Sequence, residues 1–400
     1  MRVGEFDLMI LVPALLLALA IDRWFGEPPL RWHPVVWIGN YLGWVGQRIA
    51  PLVSVRSSDQ AADLSASQAE RKSQSQSQSQ SQSQSQSQSQ SQSQSQSQSQ
   101  SQSASQAISP VGTSDCVAFV RGVFAWCAGG AVVLAVAAGL QSLLLQLPGW
   151  VAVLGLGLLL KPLLAWAMLK SEVQAVEAAL SVSLAQGRER LSWLCSRDTS
   201  ALSESQVRET ALESLAENLN DSVIAPLFWF TVAGLPGAAL YRFANTADAM
   251  WGYRGERGGR HWEWAGKWAA HADDWLSWLP ARLSALLLAL AAGGLSPVRL
   301  RREAVLTPSP NGGWPMGALA LALGIRLGKP GVYTLNATGR APGPLDTVRA
   351  CALAGRALGL IVFGTLVLSL TQIWLPDMWL PDLPDAWLSG LWPASGGGHG

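Results

Sequence analysis

Glu213-Ser-Leu-Ala-Glu217-Asn218-Leu-Asn-Asp221-Ser-Val-Ile-Ala-Pro226 leads from a row of acids and amides straight into an apolar stretch, Val223 to Leu240. Upstream, Ser203-Glu-Ser-Gln206 has the capping-box pattern that opens a helix. Along that helix Glu209, Glu213 and Glu217 recur every four residues and share one face. Stacked like charges destabilise a helix by ~0.2–0.5 kcal/mol per pair, so three of them imply a cation or arginines opposite. Taken alone, Glu209 reads as part of a solvated acidic face. Glu217-Asn218-x-x-Asp221, at the mouth of an apolar segment, reads as a ligand site, because carboxylates beside a bilayer need water, a cation or a partner charge. The segment itself contains Pro226, Gly234, Pro236 and Gly237. Broken helices at membrane depth line cavities, so Val223–Leu240 is either a kinked span or a re-entrant hairpin. Basic clusters at Lys170–Arg208 and Arg242–Lys267 flank it. If both face the cytoplasm, the segment does not cross, which favours the hairpin.

Working outward, the composition agrees. Apolar residues make up 49% of the 400 and charged residues 14%, against roughly 25% charged in a soluble domain. A net charge of +1 gives no clustered basic surface for nucleic acid. Cys116, Cys127, Cys195 and Cys351 are scattered, which fits neither a disulfide framework nor a zinc site. Tryptophans at the ends of apolar runs (Trp24, Trp150, Trp166, Trp374) suit headgroup anchors. Helix-length apolar stretches fall at Phe6–Trp24, Val120–Leu147, Trp150–Leu169, Ala281–Leu295 and Ala350–Leu375, with Trp314–Leu327 short and Gly-rich. The first lacks a basic leader and reads as an uncleaved anchor despite Ala18-Leu19-Ala20. Ser73 to Gln102 is an unbroken Ser-Gln repeat. Without apolar residues to bury, nothing offsets the entropy of ordering it. The expected architecture is all-α: a multi-pass α-helical membrane protein with a first helix and interfacial His-Pro loop in 1–53, a disordered insert in 54–114, and a helical catalytic region in 115–400.

Several polar constellations accompany the acid row. Asn245 and Asp248 lie one helical turn apart and offer hard oxygen ligands of the kind magnesium takes. Asp273 and Asp274 precede an apolar stretch; adjacent acids point to different faces, so one binds a ligand while the other pairs with Arg282. Pro308-Ser309-Pro310-Asn311-Gly312-Gly313-Trp314-Pro315 fixes a hydroxyl and an amide between prolines. Its consecutive N–H groups form a potential anion nest. His33, held extended before Pro34, sits on a stiff loop at the interface. No P-loop, GxSxG or HExxH motif is present.

In order along the chain, these blocks resemble the adenosylcobinamide-phosphate synthase family of cobalamin biosynthesis, the CobD/CbiB family. The resemblance rests on Asp22…Gly26-Glu-Pro-Pro, Arg31-Trp-His-Pro, Ser196-Arg-Asp198, Glu213 through Pro226, Asn245-Thr-Ala-Asp248-Ala-Met-Trp-Gly-Tyr, Asp273-Asp274 with Pro280-Ala-Arg282, and Ser309-Pro-Asn-Gly-Gly-Trp-Pro. His271 stands where an arginine is usual, and Met316 where an acid is usual. The resemblance implies a multi-pass protein of the cell inner membrane. It would join (R)-1-aminopropan-2-ol, or its O-phosphate, to a propionate carboxylate of adenosylcobyric acid in an ATP- and Mg2+-dependent amide ligation. Other membrane enzymes of the late corrin pathway are expected partners. Under that expectation Glu217, Asp221, Asn245 and Asp248 hold the metal. Ser309, Asn311, Arg254, Arg282 and Asn218 contact nucleotide or corrinoid groups, and Glu213, Asp273, Asp274 and His33 are the candidates for proton transfer and amine orientation. Two other function classes share the sequence features: a corrinoid or anion transporter, and a non-catalytic membrane sensor on the same scaffold.

Overall fold

The computed structural model describes residues 8–53 apart from 30 and 32, and residues 113–374 apart from 196. Nearly all of the Ser-Gln insert lies outside the described residues. The chain is helical, with two small antiparallel hairpins. In order it forms α1 (Leu8–Phe25), α2 (Pro34–Ile49), α3 (Thr113–Leu144), α4 (Gly149–Leu160), α5 (Trp166–Val182), α6 (Leu184–Leu191), α7 (Glu204–Leu219) and α8 (Ala225–Trp251). The hairpin β1 (Glu256–Arg257) and β2 (Arg260–His261) follows, then α9 (Lys267–Ala291), α10 (Pro297–Ala304) and α11 (Gly313–Leu323). A second hairpin, β3 (Leu327–Lys329) with β4 (Tyr333–Leu335), precedes α12 (Pro344–Trp374).

Among the described residues, four helical segments are long and apolar enough to cross a membrane: Ser114–Leu144, Gly149–Val182, Glu204–Trp251 and Pro344–Thr371. Apolar side chains of α3 such as Val120, Phe124, Val132 and Val136 lie exposed on the protein's outside. A water-soluble protein would bury such a face against its own core; here it suits lipid. The protein is accordingly a helical membrane protein. Trp24 and Trp150 are exposed as anchors would be, whereas Trp166 is buried in the core.

Two of the four segments are interrupted. Trp150–Leu169 is not one helix: a 3-10 turn at Lys161–Leu163 breaks it, since Pro162 lacks the N–H that would continue the ladder. In α8, Ala233 (φ −136°, ψ 16°) and Gly234 (φ 66°, ψ −157°) leave the helical region. Twenty residues of straight helix would span ~30 Å. Yet the Tyr241 hydroxyl donates to Asp221 Oδ1 at 3.4 Å, and Arg242 Nη1 donates to the Asp221 carbonyl at 3.0 Å. The segment therefore doubles back at Gly234 as a helical hairpin, the second of the two forms its sequence allowed. At the bend, Gln141 Oε1 from α3 accepts the freed Leu235 N–H at 2.7 Å. A Cβ on Gly234 would collide with that carboxamide.

The break after α4 meets the start of the hairpin. A π-helical turn at Asn220–Ile224 joins α7 to α8, and its Ser222 carbonyl accepts the Ala165 N–H at 3.0 Å. Around this junction Leu15, Leu156, Leu160, Leu215, Val223 and Phe230 pack as one core. Lys161 is buried there with its charge matched, 3.3 Å from Asp22 and 2.8 Å from Glu27.

Candidate functional site

Helix α7 opens with the expected capping box: Ser203 Oγ accepts from Gln206 N–H, and the Gln206 side chain accepts from Ser203 N–H. Glu209 and Glu213, the first two acids of its row, are buried, whereas Glu217 is exposed. Glu209 is only 4% exposed and accepts from Arg326 at 3.2 Å, while Glu213 accepts from Arg197 at 2.9 Å. The arginines that the stacked charges demanded are present. No arginine or lysine forms an ion pair with Glu217, the last of the row, among the described residues.

Glu217 instead faces a cavity of about 450 Å³. The hairpin of α8 brings Asp248 to it, and α9 brings Asp273, Asp274 and Ser277. The proline-rich turn before α11 closes it with Ser309, Asn311 and Gly312; Arg254 stands at its edge. The position of a Cβ on Gly312 would lie 3.6 Å from Glu217 Oε1, so the turn and the acid row face each other closely. Gly252 is required here: a Cβ would overlap Asp248 Oδ1.

Arg242 organises one wall. Its Nη1 donates to the Asp221 carbonyl and, at 3.3 Å, to Asn245 Oδ1; the Asn245 amide then donates to Asp273 Oδ1 at 3.4 Å. The carbonyl oxygen expected to ligate metal is thus occupied by Arg242, and Asn245 positions Asp273. Tyr241 bridges Asp221 and Ser277. Neither Tyr241 nor Arg242 was singled out from sequence. Both stand just ahead of Asn245 in the chain, and no spacing signal points to them.

Other expected placements differ as well. Arg282 does not pair with an aspartate; its Nη1 donates to Asn311 Oδ1 at 2.7 Å and its Nη2 to the Pro310 carbonyl at 3.3 Å, pinning the proline-rich turn. The Asn311 and Gly312 N–H groups both donate to Ser309 Oγ at 3.2 Å, so they are not a free anion nest. Asp273 and Asp274 both line the cavity, because it wraps around the start of α9. His33 lies outside the lining, 3.3 Å from Glu27 in the Lys161 cluster. Glu213 and Asn218 also stand outside the lining. Glu213 is held by Arg197, and the Asn218 amide donates to the Ser214 carbonyl at 3.0 Å.

Asp273 and Asp274 sit in the polar first turns of α9, ahead of its apolar part. Burial, and next the Asp221 and Asp248 carboxylates, push Asp273 well above the ordinary carboxylate range. Burial raises Asp274 as well, against the pull of His271 and Arg254. Among the described residues no three His, Cys, Asp or Glu side chains are close enough to hold a metal ion alone. Magnesium keeps several waters and takes one or two carboxylates with substrate phosphates. The donor set fits that use and not a permanently caged ion.

No solved structure matches the chain. A Rhodobacter capsulatus protein described as cobalamin biosynthesis protein CobD is 40% identical over 240 residues, 56% of this chain and 73% of that protein. A Chromobacterium violaceum protein of the same description is 44% identical over 201 residues, 48% of this chain and 63% of that protein. A Pyrococcus furiosus protein described as probable cobalamin biosynthesis protein CobD is 43% identical over 175 residues, 44% of this chain and 58% of that protein. The family described as CobD/Cbib protein matches residues 97–354. That match covers more than half of the chain, and the protein belongs to the CobD/Cbib family.

Proposed function

We propose that the protein acts in cobalamin biosynthesis in the cell inner membrane. It joins (R)-1-aminopropan-2-ol or its O-phosphate to a propionate carboxylate of adenosylcobyric acid, with ATP as the activating co-substrate. The observation that carries this reading is the convergence of Glu217, Asp221, Asp248, Asp273 and Asp274 with the Ser309–Gly312 turn on one cavity. So many carboxylates in a confined space demand protons or a cation, and the described residues supply chiefly Arg242 and Arg254. A metal-nucleotide supplies the missing positive charge and benefits from the rigid turn opposite.

A carboxylate is a poor acylating agent, so the reaction needs two displacements. The propionate oxygen first attacks a nucleotide phosphorus, and a mixed anhydride forms as the rest of the nucleotide leaves. The amine nitrogen then attacks the activated carbon; a C–N bond forms, the C–O bond breaks, and phosphate or nucleoside monophosphate departs. Magnesium, when bound, neutralises phosphate charge. Glu217 and Asp248 would hold it. Arg254 and the Arg282-braced turn orient the phosphates and corrin amides. Asp273 lies where it can take the proton released by the amine. A cavity of about 450 Å³ admits phosphates and a side arm, not a whole corrin, so the macrocycle rests outside it.

Glu217→Gln and Asp248→Asn variants, checked for membrane insertion, test the assignment. Each is expected to lower amide formation by roughly a hundredfold or more, as loss of a group stabilising transition-state charge does. Wild-type rates in both would refute the metal-nucleotide role.

A further inference from the structure

Helix α10 (Pro297–Ala304) is short, yet Arg299, Arg301 and Arg302 all belong to it. All three are exposed, and none forms an ion pair among the described residues. Elsewhere Arg190 pairs with Glu172, and Arg208 with Glu177 and Glu204. The one acid of α10 does not neutralise its arginines, because Glu303 Oε2 accepts the Asn336 N–H at 2.6 Å.

Leu300 and Ala304, one turn apart, are buried and hold the helix to the protein. Val298 and Val305 lie two turns apart on the opposite face, 60% and 69% exposed. Arg302 shares that face, Arg299 and Arg301 flank it, and Leu306 just beyond the helix is exposed as well. In water these apolar side chains gain nothing from facing outward. At a bilayer surface they reach the acyl boundary while the arginines stay among the headgroups. The position in the chain agrees. Leu286 and Leu290, near the end of α9, are exposed like the outer side chains of α3. Gly293 and Gly294, at φ 85° and 114°, then turn the chain into α10. The helix thus begins where an apolar outer face ends.

We propose that α10 is a docking surface for anionic phospholipid. Val298, Val305 and Leu306 enter the acyl boundary, and Arg299, Arg301 and Arg302 hold headgroup phosphates. Basic residues beside a bilayer attract anionic lipid, and a guanidinium meets phosphate with paired charge-assisted hydrogen bonds. A soluble anion would use the arginines and leave the valines in water, so lipid is the occupant that uses the whole face. The inference does not rest on the ligation reading, but it bears on the acidic cavity. The end of α10 backs onto the proline-rich turn: a Cβ on Gly313 would collide with the Ala304 carbonyl. The Thr307 hydroxyl donates to the Ser309 carbonyl at 3.0 Å. Lipid on α10 therefore holds that wall of the cavity at headgroup level.

The test is native mass spectrometry of the full chain in detergent, titrated with phosphatidylglycerol and, separately, with phosphatidylcholine of the same acyl chains. Wild type should hold phosphatidylglycerol at least ~10-fold more tightly than phosphatidylcholine. Arg299→Gln, Arg301→Gln and Arg302→Gln should each weaken phosphatidylglycerol by ~5-fold and leave phosphatidylcholine within ~2-fold. Arg121→Gln, at an exposed arginine on α3, should change neither. Val298→Ser combined with Val305→Ser should weaken both lipids. Every substituted side chain is exposed, and a thermal midpoint equal to wild type in phosphatidylcholine checks folding; the single substitutions carry the test if the double variant unfolds. The proposal is overturned if the two lipids bind alike, or if the α10 arginine variants hold phosphatidylglycerol like wild type. It also falls if Arg121→Gln weakens the lipid as much as they do. Displacement of the lipid by glycerol 1-phosphate at equal concentration would make the patch a soluble-anion site and overturn it too.

Discussion

Gly252 leaves the space that the Asp248 carboxylate occupies. A Cβ at position 252 would overlap Asp248 Oδ1, so Gly252→Ala must turn the carboxylate away from the cavity. The expected outcome is Mg-ATP affinity reduced by ~10-fold or more with the variant still inserted, read by calorimetry; unchanged affinity would remove Asp248 from the metal site. Asp273 makes the cavity pH-sensitive in two opposite senses. Its carboxyl is raised on folding, so its contribution to apo stability is full below the ordinary carboxylate pKa and is lost as pH rises through the raised folded value. Proton acceptance from the amine needs the anion, so amide formation speeds up as pH rises through that folded value. A pH–rate profile should show that rise in wild type and not in Asp273→Asn; parallel profiles would contradict it. The sequence made Glu217, Asp221, Asp248, Asp273 and the Ser309 turn legible, because local spacing places acids at the ends of apolar runs. It did not reveal that Asn245 Oδ1 is taken by Arg242, or that Ser309 Oγ caps the N–H groups of its own turn. Those outcomes depend on side-chain directions that spacing does not fix.

The α7–α8 hairpin is the element on which the site depends. It returns Tyr241 and Arg242 to Asp221, and so sets Asp248 beside Glu217. Gln141 secures the bend from a different helix. Gln141→Leu leaves the Leu235 N–H unpaired and should cost about 1–3 kcal/mol, seen as a lowered midpoint in a thermal unfolding scan; an unchanged midpoint would mean the bond contributes nothing. A hairpin that turns back within a membrane has both its ends on one side. Single cysteines at Ser205 and Gly258 should therefore react with an impermeant reagent from the same side, and reaction from opposite sides would restore a crossing segment. The capping box at Ser203 and the helix-breaking Pro and Gly residues were readable because each acts within a few residues. The burial of Glu209 was not, since its partner Arg326 lies 117 residues away, near the end of the apolar, Gly-rich stretch Trp314–Leu327.

At the scale of the whole molecule, acids from α7, α8 and α9 and a turn before α11 are gathered into one wet cavity inside a largely apolar protein. The Ser-Gln tract lies outside the described residues, and its sequence gives it nothing to bury. Removing Ser73–Gln102 should leave ligation within about twofold of wild type, because a tract with no apolar side chain adds nothing to the packed core. A larger loss, measured at equal protein level, would give the tract a role. The most direct measurement is mass detection of the corrinoid after incubation of purified protein with ATP, magnesium, adenosylcobyric acid and aminopropanol. The account predicts a corrinoid heavier by one amide-linked aminopropanol, formed with consumption of ATP and abolished by Glu217→Gln and Asp248→Asn. A corrinoid of unchanged mass that instead crosses sealed vesicles would contradict it.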